Sequence, residues 1–104
     1  MAHDYFGDRN FVGKPCIIKA RDTVFVGILE SRKGGEASIK TARRVLHYEG
    51  ASSLSELAVR GTSNPEACKL PIAVPFILVI GVTEILPLTE EARVSIEKIP
   101  EWTG

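Results

Sequence analysis

Thr23-Val24-Phe25-Val26-Gly27-Ile28-Leu29, followed by Lys33-Gly34-Gly35-Glu36 and a return through Ala37, Ile39 and Thr41, decides the fold. β-Branched and aromatic residues fill the first segment, as half-buried pleated surfaces favour. Period-two alternation puts Val24, Val26 and Ile28 on one side and Thr23, Phe25, Gly27 and Leu29 on the other. Paired glycines supply the positive φ of a tight hairpin turn. The reading is two antiparallel strands. Gly27, inside the first of them, marks a bulge or the close approach of another backbone.

Working outward toward the N-terminus, Pro15–Ala20 reads as a short strand and Arg21-Asp22 as a turn. Residues 1–13 are mixed and carry two glycines, so they are expected as a loosely held arm, with one β-rich domain over 14–104. Toward the C-terminus, Arg43 to Tyr48 reads as a second extended piece that continues or bends from the hairpin. Gly50-Ala51-Ser52-Ser53 ends it and opens a helix. Ser53 with Glu56 is a capping box, Leu54, Leu57 and Ala58 form the apolar face, and Gly61 is a C-terminal cap. After the loop Thr62-Ser63-Asn64-Pro65, Ile72 to Ile80 is so continuously apolar that it predicts a strand buried on both faces, with Pro75 limiting how early its ladder starts. Thr83 to Leu86 extends the same sheet or turns beside it. Thr89 then caps a last helix with Glu90 and Glu91 in its first turn, an apolar stripe of Ala92, Ile96 and Ile99, and Pro100 as its stop. The order β-β-β-α-β-β-α predicts an α+β fold: a small, curled, partly barrel-like antiparallel sheet carrying two short helices.

Composition narrows the function classes. A chain of 104 residues, 44% hydrophobic and 25% charged, suits one globular domain. Thirteen basic and thirteen acidic residues cancel, which argues against nonspecific DNA binding and leaves self-association free of long-range repulsion. The N-terminal residues lack the pattern of a signal peptide, and Pro71, Pro75 and Gly81 interrupt the longest apolar run. The expectation is a cytoplasmic protein with no membrane association. Cys16 and Cys68 lack metal-site spacing and are expected reduced and core-filling.

One arrangement has chemical character. Arg43, Arg44, His47 and Tyr48 precede Ser52 and Ser53 at a helix start, where unpaired N–H groups and guanidinium forks suit a phosphate. The competing reading makes the arginines solvated strand residues, His47 and Tyr48 packing residues, and the serines simple caps. Glu84, Glu90, Glu91, Glu97 and Glu101 make the C-terminal quarter acidic, yet no calcium-loop pattern accompanies them. His3 and His47 are the only histidines, and hydrolase, zinc-protease and nucleotide-loop motifs are absent. The expectation is no enzyme, no cofactor and no metal. Trp102 either plugs the core or offers an aromatic to a partner.

Thr41-Ala42-Arg43-Arg44-Val45-Leu46-His47-Tyr48-Glu49-Gly50-Ala51, Ser53-Leu54-Ser55-Glu56-Leu57-Ala58 and Thr83-Glu84-Ile85-Leu86-Pro87-Leu88-Thr89-Glu90-Glu91-Ala92 together resemble a family of small uncharacterised proteins of tailed bacteriophages and prophages. The likeness spans about residues 16 to 100. It implies an accessory protein in the cytoplasm of an infected bacterium, acting by binding against host defence. On that basis the leading expectation is a homo-oligomer that sequesters an anionic, cyclic nucleotide at Arg43, Arg44, His47, Tyr48, Ser52 and Ser53. The alternative is a protein-binding or virion-assembly component that docks a partner through a sheet edge or Trp102.

Overall fold

A computed structural model describes residues 11–104. The chain forms β1 (Pro15–Ala20), β2 (Thr23–Lys33), β3 (Glu36–Arg44), α1 (Leu54–Arg60), a 3-10 turn (Pro65–Ala67), β4 (Val74–Ile80), β5 (Val82–Pro87) and α2 (Glu90–Glu97). The strands make one antiparallel sheet in the order β4-β3-β2-β1-β5. It is open, with β4 and β5 as its two edges. The α+β class and the element order match the sequence reading. The arm expected over residues 1–13 lies largely outside the described residues; Gly13 is already anchored, its N–H donating to the Leu29 carbonyl at 2.7 Å.

Alternation builds two cores, one on each face. Pairing of Cys16 with Gly27 and Ile18 with Phe25 sends the Cys16, Ile18 and Phe25 side chains to one face, where Leu29, Ala37, Ile39, Ala42 and Val79 complete a buried cluster. Ile17 and Val26, paired next to them, point to the opposite face. There Leu57 and Ala58 of α1, Ile96 of α2, and Cys68, Leu70 and Ile99 close over them. Both helices pack on this second face, α1 touching α2, β1 and β5. Both cysteines are free and buried, one in each cluster.

Gly27 behaves as its position suggested. A Cβ there would lie 2.6 Å from Ile39 Cγ2 and 2.9 Å from the Lys40 carbonyl oxygen, and the β2–β3 register shifts between Val26 and Ile28. The bulge is completed on β3, where Thr41 adopts a φ of 53°.

Of the two courses expected for Arg43 to Tyr48, the chain takes the bend. Strand β3 ends at Arg44, the Val45 N–H still donates to the Val24 carbonyl, an isolated bridge joins His47 to Lys69, and Val45 and Tyr48 pack on the helix-side core. One expectation is corrected. The strand expected to be buried on both faces is an edge strand in which only Val79 is buried. The helix-side core includes residues of β1, β2 and β5 but none of β4, so among the described residues no helix covers the helix-side residues of β4.

Candidate functional site

The residues of the expected anion cluster do not converge. Arg43 turns under the C-terminal segment and donates from Nη2 to the carbonyls of Leu70 (3.0 Å) and Pro100 (3.3 Å). Burial lowers its pKa, partly offset by Glu101. Arg44 points to the other face and stacks its guanidinium over Phe25, 5.0 Å from the ring centroid. His47 is paired with Glu49 at 2.9 Å in an exposed position. Tyr48 packs against the helix-side core.

The helix start is already satisfied from within. Ser53 Oγ accepts the Glu56 N–H at 3.1 Å, and the Glu56 carboxylate returns to the Ser52 N–H at 2.6 Å. That hydrogen bond holds the Glu56 carboxyl below its ordinary pKa. A carboxylate thus occupies the place where a phosphate was expected. The loop before α1 is braced as well: Ser63 N–H donates to the Gly50 carbonyl and Thr62 Oγ1 donates to the Glu49 carbonyl. Gly50, with φ 81°, must be glycine, since a Cβ would meet the Asn64 nitrogen at 2.5 Å.

The backbone at Trp102 is held while its side chain stays exposed, at 37%. The backbone N–H donates to the Leu70 carbonyl at 2.9 Å, Glu101 forms an isolated β-bridge with Leu70, and the Lys69 ammonium lies 5.6 Å from the indole centroid.

The feature without internal explanation is β4. Phe76, Leu78 and Ile80 are 61%, 59% and 68% exposed, and Ile72, just before the strand, is 65% exposed. Val74, 38% exposed, is paired with Ala42 and lies on the helix-free side. Phe76, Leu78 and Ile80 together present roughly 350 Å² of apolar surface, within the range in which the largest patch on a monomer is often functional. No charged residue occurs between Lys69 and Glu84. On the helix-free side of the same edge, a cavity of about 230 Å³ is lined by Phe25, Ala42, Arg44, Pro71, Ile72, Val74 and Ile77.

The backbone of β4 is equally open. The Gly81 N–H donates to the Gly35 carbonyl at 2.9 Å, which makes Ile80 and Glu36 a widely spaced pair. By alternation the N–H and C=O groups of Phe76, Leu78 and Ile80 face away from β3. Val74 exchanges its hydrogen bonds with Ala42 of β3, since a widely spaced pair there would need an N–H on Pro75; the Pro75 nitrogen therefore faces outward and the free edge begins at Phe76. The opposite edge is different. Strand β5 carries exposed Glu84 and ends at Pro87, both of which discourage strand addition.

The sequence reading missed this surface because it took the apolar run as a central strand. Pro75 was the available signal, since proline in a ladder marks an edge.

Among the described residues no group of three or more His, Cys, Asp or Glu side chains is placed to hold a metal ion, and no helix is long and apolar enough to cross a membrane. No curated protein and no solved structure matches the chain. A family model described as "Domain of unknown function (DUF6948)" matches residues 13–96, from the start of the described domain through α2, and the chain belongs to that family.

Proposed function

We propose that the chain is a non-enzymatic protein-binding module that takes an extended segment of a partner along the β4 edge. The observation that carries it is the coincidence, on one strand, of outward backbone groups and an exposed apolar stripe without a charge. Strand addition uses both: main-chain hydrogen bonds supply affinity, and alternate side chains supply contact area. The cavity beside Ile72 and Val74 gives a partner's anchoring side chain a place to insert. Sequestration of a nucleotide is less well supported, because Arg43 spends its hydrogen bonds on the C-terminal segment and Glu56 occupies the helix start.

A photo-crosslinking amino acid in place of Phe76 tests the reading in cells that make the protein at its native level. Irradiation should give an adduct with a polypeptide, and the same substitution at exposed Glu84 on β5 should not. Equal adduct yields at the two positions, or none at position 76, would overturn it.

A further inference from the structure

We infer that the partner along β4 is a second copy of the same chain, joined by antiparallel β4–β4 pairing about a two-fold axis. The inference rests on the docking reading above and names its occupant. Three observations point to self-pairing.

The first is closure. A sheet with two bare edges would add copies without limit, but here Glu84 and Pro87 blunt β5 and, among the described residues, only β4 is bare, over Phe76–Ile80. Pairing β4 with itself consumes the one open edge of each copy and stops at two, as an isologous interface requires.

The second is register. Overlapping the free edge Phe76–Ile80 with its copy sets the axis at Leu78. Phe76 then lies opposite Ile80 of the partner subunit, and Leu78 opposite Leu78 of the partner subunit. The outward residues 76, 78 and 80 meet as hydrogen-bonded pairs on every second rung. The two stripes stay on the same face, side by side, as large apolar cross-strand pairs.

The third is area and charge. The stripe's apolar surface, roughly 350 Å² per copy, is joined in the pairing by the backbone of the free edge and by Ile72 and Val74 at its end, toward the roughly 800 Å² per partner of a stable interface. Self-pairing opposes like residues, so a charged strand would repel its copy. Strand β4 has no charge, and the whole chain has none in balance.

Light scattering on the full chain from about 1 to 200 μM, spanning ordinary weak-to-moderate dimer affinities, tests the inference. The mass should rise to twice that of the chain. Leu78→Glu, which sets two carboxylates directly opposite each other at the axis, should weaken the dimer at least tenfold without lowering the melting temperature of the dilute protein. Glu84→Lys on β5 should leave the dimer intact. A dimer that survives Leu78→Glu, or a mass that grows without limit, would overturn the two-fold pairing. So would a monomer that becomes a dimer only when residues 1–10 are removed, since the chain's own arm would then be the occupant. If the protein is monomeric throughout, the position-76 adduct separates the two failures: an adduct to a different protein overturns the second copy and leaves the docking reading, and no adduct overturns both.

Discussion

Arg43 and Arg44 are adjacent in sequence and opposite in role, because successive strand residues point to opposite faces. Arg43 ties the segment around Leu70 to the one around Pro100 through two charge-assisted hydrogen bonds, and few other bonds hold the C-terminus. Replacing it with alanine should lower unfolding free energy by about 1.5–3 kcal/mol, the range for hydrogen bonds from a charged group. Arg44→Ala should cost under about 1 kcal/mol, since it removes a cation–π contact at an accessible site. Chemical denaturation of the two variants checks the difference; equal losses would mean that the Arg43 bonds add nothing. At Gly27 the prediction concerns shape. Gly27→Ala forces a methyl against Ile39 and the β3 backbone, and should destabilise by about 1–3 kcal/mol, as overpacking does. Both faces of β2 and the special status of Gly27 were legible in the sequence, since alternation and a lone strand glycine are local signals. The engagement of Arg43 was not legible, since its acceptors lie 27 and 57 positions away.

Helix termini show the reliability of local signals at the level of elements. The Ser53–Glu56 box and the Thr89 cap, whose hydroxyl accepts the Ala92 N–H at 3.0 Å, stand where the sequence puts them. Strand β4 shows the opposite. A continuous apolar run looks the same whether it lies inside a sheet or at an edge whose outer face awaits a partner, and nothing local separates the two. The segment 43–48 reads as either continuing or bending, and the bend is decided by Val45 and Tyr48 joining the helix-side core, which no local signal specifies. The caps also set an acid response. Glu56 is held below its ordinary pKa of 4.5 by the Ser52 N–H, and Glu90 by Arg93, 2.5 Å away. Both carboxyls bind protons more weakly folded than unfolded, so their stabilisation is present above pH 4.5 and is lost as pH falls through the folded values. The melting temperature should therefore drop below pH 4.5, and Glu56→Gln should make that drop shallower. A variant with an unchanged acid slope would place the effect elsewhere.

The whole molecule is one sheet with a core on each face, which raises the question of whether the faces open together. The two cysteines are natural reporters, Cys16 in the core of the helix-free face and Cys68 under the helices. Burial pushes the Cys16 thiol up to about 11, so at pH 8 only about one folded molecule in a thousand carries the reactive thiolate there. Labelling by a disulfide reagent must then wait for opening, and its rate reports the population of the open form when closing is fast. Strand β1 contributes Cys16 and Ile18 to one core and Ile17 to the other, so neither face can separate without dismantling the strand shared by both. The expected outcome is that Cys16 and Cys68 are labelled at similar slow rates, and that both rates rise by the same factor in a core variant such as Ile17→Ala. Mass spectrometry of the labelled peptides over time measures each site. Faster labelling at Cys68 with Cys16 still protected would show that α1, α2 and the segment between them open as their own unit, leaving the sheet and its β4 edge intact beneath.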